Sequence, residues 1–193
     1  TSFSDPIQGD KKLIEIYNKL GVKTFFKNNI INLKKDENFN LPQSLELRLN
    51  DTPDLAQTIA VSCFGLGLPC DLHGLHTLKI KETDRLLALK IELEKLGAEV
   101  KITSNSLHLK KSNQIKKNIK INTYSDHRMA MAFAPLGIIS PIIINDEYSH
   151  YLKQYGKVAS KAIFSKEDER IYFAIRKLSD LKEDRSATNQ QII

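Results

Sequence analysis

Apolar positions along the chain follow two rhythms that alternate. Leu13, Ile14, Tyr17 and Leu20 recur at the spacing of one helix face, which predicts a helix over residues 10–20. Gly21 follows, where a helix closes in a left-handed cap. Residues 22–26 and 30–33 alternate apolar and polar around Lys27-Asn28-Asn29, the pattern of a hairpin. Leu45, Leu47 and Leu49 alternate with polar residues and predict a half-buried strand. Residues 54–67 are apolar and rich in small side chains, which suits a buried helix, and a short strand is expected at 69–74. The cycle then restarts with a helix over 83–96, Gly97, a hairpin over 98–103 and 106–110, and a strand at 119–122. A helix over 126–138 and a strand at 141–145 complete it.

This order is a true repeat of sequence as well as of pattern. The segment from Asp54 to Pro69 lies over that from Asp126 to Pro141 without a gap. The segment from Leu20 to Lys34 lies over that from Leu96 to Lys110. The offsets, about 72 and about 76 residues, exceed the ~20–50 residues of solenoid repeats, so each unit holds several elements. Helices of this kind need a sheet to cover them, and the fold class is α/β, layered and built from a repeated unit.

Composition narrows the picture. The chain has 193 residues, 41% hydrophobic and 27% charged, which suits a packed globular domain. No apolar run approaches the ~20 residues that span a bilayer, so no membrane partner is expected. The net charge of +6 suits anionic ligands. Lysine pairs such as Lys34-Lys35 and Lys116-Lys117 read first as solvated surface, and no nucleic-acid-binding pattern accompanies them. Cys63 and Cys70 lack the neighbours of a zinc site, and Cys63 reads as a small buried hydrophobe. Two unpatterned thiols and no targeting segment point to the cytoplasm. Thr1 stands where an initiator Met is expected, and residues 5–10 already lead into a helix, so a preceding segment is expected.

The candidate chemistry sits at helix starts: Gly9-Asp10, Asp54, Lys81-Glu82-Thr83-Asp84-Arg85 and Asp126-His127-Arg128. A helix N-terminus offers free N–H groups and roughly half a positive charge, and a cation beside it makes an anion site. Each Asp is also a plain N-cap candidate; for Asp10 that reading leads, while for Asp54 and Asp126 capping and function can coexist. Arg85 is out of place for stability alone, since the dipole disfavours a cation in the first turn. A ligand anion and an ordinary Glu82–Arg85 surface pair explain it equally well. His73, His76, His108 and His150 show no ligand spacing and read as loop or strand residues; no metal or cofactor is expected.

Three strings taken together carry a resemblance. Pro53-Asp54 with Thr58, then Lys81-Glu82-Thr83-Asp84-Arg85-Leu86, then Tyr124-Ser125-Asp126-His127-Arg128-Met129-Ala130-Met131 resemble the 5-enolpyruvylshikimate-3-phosphate synthase family in content and order. Residues 7–22 resemble it too, so the likeness runs from about Pro6 to Asn145. The resemblance implies two similar domains of three βαβαββ units, each an inside-out α/β barrel (a prism), with the site in the cleft between them. Residues 1–156 are then an incomplete second domain of about two units, and 157–193 a divergent helical extension. It implies transfer of the enolpyruvyl group of phosphoenolpyruvate to the 5-hydroxyl of shikimate 3-phosphate, releasing phosphate, in aromatic amino-acid biosynthesis. The first domain is the expected partner, in a protein monomeric when complete.

Roles come over residue by residue. Asp54 resembles the carboxylate that takes the proton of the attacking hydroxyl. Glu82 resembles the one that handles proton transfer at the methylene carbon of phosphoenolpyruvate. Lys81 resembles a shikimate 3-phosphate contact, Arg85 and Arg128 the arginines that grip phosphoenolpyruvate, and His127 a neighbour of that grip. Thr77 stands where some members carry Asn for substrate contact, and Lys79 where the family has Arg. Lys153, in Leu152-Lys153-Gln154-Tyr155-Gly156, matches a late phosphoenolpyruvate-binding lysine, with Gly156 replacing the usual Pro. The rival with the same fold, UDP-N-acetylglucosamine enolpyruvyl transferase, lacks these strings. A non-catalytic fragment is the other alternative, and the chain alone is expected to be inactive.

Overall fold

The computed structural model of the protein describes residues 11–27 and 30–145. Asp10, the hairpin turn at Asn28-Asn29, His150, Lys153 and the expected extension lie outside the described residues.

Among the described residues, eight strands and four helices follow the predicted order. Helix α1 (Lys12–Asn18) leads into the antiparallel hairpin β1 (Val22–Lys27) and β2 (Ile30–Lys35). Strands β3 (Leu45–Arg48) and β4 (Cys70–His73) are parallel neighbours joined through α2 (Ala56–Gly65). Helix α3 (Arg85–Lys95) precedes the antiparallel pair β5 (Val100–Ile102) and β6 (Ser106–Leu109). Strands β7 (Ile119–Asn122) and β8 (Ile142–Asn145) are again parallel, joined through α4 (His127–Phe133).

Strand pairing reveals where the repeat divides. β4 pairs with β6 antiparallel, giving one four-stranded sheet in the order β3-β4-β6-β5. That sheet with α2 and α3 is a complete βαβαββ unit. On either side stands half a unit: α1 with β1-β2, and β7-α4-β8. Among the described residues the three sheets do not close into the expected barrel, because two of them hold only two strands each.

The helices cover one face of the central sheet. Leu45, Leu72, Leu107, Leu109 and Val100 point inward against Ile59 and Phe64 of α2 and Leu86, Leu89 and Leu93 of α3, all buried. Met129 and Phe133 of α4 join the same core. α2 is buried nearly all round, as its small, apolar sequence requires. Cys63 and Cys70 are free, buried thiols within this core. The outer sheet face is polar: His108 bridges Asp71 (2.5 Å) and Ser106 (2.8 Å). His73 and His108 are strand residues, as expected, and His76 opens a 3-10 turn (His76–Ile80) that the sequence pattern did not announce.

Proline accounts for two differences from the predicted helices. The helix expected over 126–138 is α4 followed by a 3-10 turn, Ala134–Ile138, because Pro135 lacks an N–H and clashes with the turn before it. Ahead of α2, Pro53 opens a separate 3-10 turn, Pro53–Leu55. Among the described residues, the hairpin leaves Phe25, Ile30 and Leu33 exposed.

Gly74 links β4 to the 3-10 turn that carries Thr77. It has φ +81, and a Cβ there would meet the Asn50 backbone nitrogen at 2.7 Å. Replacing Gly74 by Ala is expected to destabilise the fold by about 1–3 kcal/mol. Urea unfolding checks this; an unchanged midpoint would mean that the turn relaxes without strain.

Candidate active site

The site is organised around one guanidinium. Asp84 caps α3 by accepting from the Leu87 N–H at 3.0 Å, so the helix proper starts at Arg85. That register puts Arg85 on the inner face with Leu86 and Leu89, and its side chain is only 2% exposed. A buried guanidinium has lost its water and must find acceptors for its N–H fork.

Arg85 finds three carboxylates. Its Nε–H donates to Asp126 Oδ2 at 2.6 Å. One terminal nitrogen donates to Asp54 Oδ1 at 3.0 Å, and the other to Glu82 Oε2 at 2.5 Å. Asp126 also caps α4, its Oδ1 accepting from the Arg128 N–H at 2.8 Å. Capping and ion pairing therefore coexist in Asp126. Asp54 departs from the expectation: it lies inside the 3-10 turn and caps no helix. Its carboxylate faces the cations, with Lys81 Nζ at 3.5 Å and an Arg128 terminal nitrogen at 3.9 Å. The Glu82–Arg85 pair does form, but around a buried guanidinium and not as a surface turn.

Segments far apart in sequence thus meet at one place. Asp54, Lys81, Glu82, Arg85 and Arg128 are all linked through Asp54 and Arg85. Thr77 sits in the 3-10 turn just before Lys81, and its hydroxyl has no hydrogen-bond partner in the structure. His127 is the exposed first residue of α4. Three cations face three carboxylates, so the cluster is formally neutral. Exposure sorts the carboxylates: Asp126 is 0% exposed, Asp54 35% and Glu82 52%. An incoming anion therefore meets half-exposed Lys81 and Arg128, and can compete with Asp54 and Glu82 for Arg85. Asp126 stays out of its reach. Among the described residues no group of His, Cys, Asp or Glu has the grouping to hold a metal ion.

Two features escape the sequence reading. For Asp126 the sequence lets capping and function coexist but does not announce Arg85, of which it is the innermost partner. Glu92, two turns along α3, is fully buried and bonded to the strand that leads to Asp126. Its signal was present: a carboxylate interrupts the apolar stripe of Leu86, Leu89, Leu93 and Leu96.

The chain is similar to known proteins. Residues 2–157 match the family described as EPSP synthase (3-phosphoshikimate 1-carboxyvinyltransferase). A 3-phosphoshikimate 1-carboxyvinyltransferase of Bacteroides fragilis is 41% identical over 155 residues, covering 79% of this chain and 37% of its own length. One of Neisseria meningitidis is 33% identical over 144 residues, covering 74% of this chain and 33% of its own length. The chain thus spans about a third of the length of the curated relatives it matches. The solved structure of EPSP synthase from Acinetobacter baumannii covers 77% of this chain and 37% of its own, at TM-score 0.53 and 19% identity, a likeness of fold.

Removing Asp126 strands a buried charge, whereas removing Glu82 opens a half-exposed pair. Asp126→Asn is expected to destabilise the chain by about 3–5 kcal/mol, and Glu82→Gln by about 1 kcal/mol or less. Urea unfolding at neutral pH reads both; equal losses would refute the ranking.

Proposed function

We propose, for a chain that belongs to the EPSP synthase (3-phosphoshikimate 1-carboxyvinyltransferase) family, that the Arg85 cluster is its share of an enolpyruvyl-transfer site. The reaction is addition of the 5-hydroxyl of shikimate 3-phosphate to the central carbon of phosphoenolpyruvate. The addition puts a proton on the methylene carbon, making it a methyl group, and loss of phosphate and of one methyl proton then restores the double bond. One observation carries the reading: Arg85 joins Asp54, Glu82 and Asp126 from separate segments at 2.5–3.0 Å, with Lys81 and Arg128 beside them.

The roles follow from placement and chemistry. Arg85 and Arg128 receive the carboxylate and phosphate of phosphoenolpyruvate, which fit a guanidinium fork. Lys81 receives shikimate 3-phosphate, and Thr77, whose hydroxyl is buried and unpartnered, turns toward it on binding. Asp54 takes the hydroxyl proton, and Glu82 delivers and later removes a proton at the methylene carbon. His127 borders the arginine grip, and Lys153, outside the described residues, adds a third cation to it. Fixed cations, together with the dipole of α3, stabilise the anionic adduct.

The rest of the assignment concerns the longer protein. Residues 1–156 form part of its second domain and 157–193 an extension, nearly all of it past the family match, which ends at residue 157. A first domain supplies the remaining substrate contacts, in a monomer that works in the cytoplasm without nucleic-acid or membrane partners. Among the described residues, no helix is long and apolar enough to cross a membrane. The short coverage favours a companion reading: this chain alone binds without turning over.

Two assays test the proposal. The isolated chain, given phosphoenolpyruvate and shikimate 3-phosphate, is expected to release no phosphate above background. A chimera in which residues 2–157 replace the aligned segment of the Bacteroides fragilis relative is expected to release it. In the chimera, Asp54→Asn or Arg85→Ala should cut kcat/KM by about 100-fold or more, and Lys153→Ala should raise KM for phosphoenolpyruvate. A folded but inert chimera would overturn the assignment.

A further inference from the structure

Among the described residues, Glu92 is the one buried carboxylate outside the Arg85 cluster. Its side chain is 0% exposed and takes hydrogen bonds from Lys95 Nζ at 2.7 and 2.8 Å, the Tyr124 hydroxyl at 2.6 Å and the Asn122 N–H at 3.1 Å. A helix-surface pair with Lys95 would need neither the burial nor the two bonds to another segment. Glu92 lies about two turns along α3 from Arg85, on the same face. One rigid helix therefore holds the segment before α4 at two points: Glu92 on Asn122 and Tyr124, and Arg85 on Asp126.

The backbone between those points is unusual. Tyr124 has φ +54 and Ser125 has φ +57. Two successive non-glycine residues in the left-handed region are disfavoured, and they persist only where surroundings over-determine them. Here the fixing contacts are visible. The Asn122 amide and the Tyr124 hydroxyl are tied to Glu92, and the Asp126 N–H donates to the Thr123 carbonyl at 2.9 Å. Immediately after the turn, Asp126 divides its oxygens between Arg85 and the Arg128 N–H.

We infer that Glu92 is a positioning residue: it fixes the left-handed Tyr124-Ser125 turn that delivers Asp126 to Arg85, and so sets Arg85 and Arg128 for their anion. The second half of this statement rests on the reading of the cluster as an anion grip. Burial, and next the Glu92 carboxylate, push the Tyr124 phenol above its ordinary pKa. The hydroxyl thus stays a donor throughout the neutral range.

The experiment separates the two halves. In the full chain without ligand, the NMR resonance of the Arg85 Nε–H reports its bond to Asp126. Glu92→Gln and Tyr124→Phe are expected to move that resonance toward its position in Asp126→Asn. Glu94→Gln, on the exposed side of the same helix and paired with Lys90, is expected to leave it in place. Tyr124→Phe removes a single oxygen, so it answers the question even if Glu92→Gln unfolds. A resonance unmoved in the folded variants overturns the inference, however much their unfolding midpoints fall. Titration with phosphoenolpyruvate then reads the grip: both variants should bind about tenfold or more weakly than the parent chain. If the parent chain takes up no phosphoenolpyruvate, the anion reading fails, and the ligand-free resonance alone decides for or against the positioning role.

Discussion

A guanidinium that has lost its water constrains the rest of the molecule. Arg85 is nearly fully buried at the first turn of α3, where the helix dipole works against it. Desolvating such an ion costs several kcal/mol, and only well-placed acceptors offset that. Glu82 is local, but Asp54 and Asp126 come from two other helix starts. For Arg85 to be buried at all, the starts of α2, α3 and α4 must converge. The core of Ile59, Phe64, Leu86, Leu89, Met129 and Phe133 packs those helices so that they do.

The internal repeat explains how one guanidinium meets two matching acids. Asp54 and Asp126 occupy the same position in the repeat, each after a strand and before a buried helix. Arg85 reaches one with Nε and the other with a terminal nitrogen. Their environments then diverge. Asp126 is sealed, caps α4 and is tied to the turn that Glu92 holds. Asp54 caps nothing, is a third exposed and faces three cations. A duplicated position has thus split into a structural acid and an accessible one.

Much of this could be read in the sequence, and the limits have physical causes. Strand β7 falls where alternation placed it, and both parallel pairs flank the helices expected between them. Helix lengths were less legible, because Pro53 and Pro135 cut turns off apolar runs that periodicity alone extends. The 3-10 turn at His76–Ile80 is too short to leave a periodic trace. Charges at helix starts announced Asp54, Lys81, Glu82, Arg85 and Arg128, since a cation against a dipole is a local oddity. The Asp126–Arg85 and Glu92–Tyr124 bonds span |i−j| = 41 and 32, and no local window contains both partners. Glu92 alone left a mark, as a break in the apolar stripe.

The neutral cluster also says something about how binding and chemistry are coupled in the proposed reaction. The cations are paired with Asp54 and Glu82, the acids to which the proposal gives the proton transfers. An arriving anion meets half-exposed Arg128 directly, but it reaches Arg85 by competing with Asp54 and Glu82, the two exposed carboxylates, because Asp126 is sealed beneath them. On that reading, part of the attraction for substrate goes into breaking internal pairs, so binding is expected to be weaker than the charge count suggests. In the proposed reaction the same exchange frees the carboxylate oxygens that are to move protons. It also keeps Arg85 anchored through Asp126, so that the guanidinium changes partners without changing place.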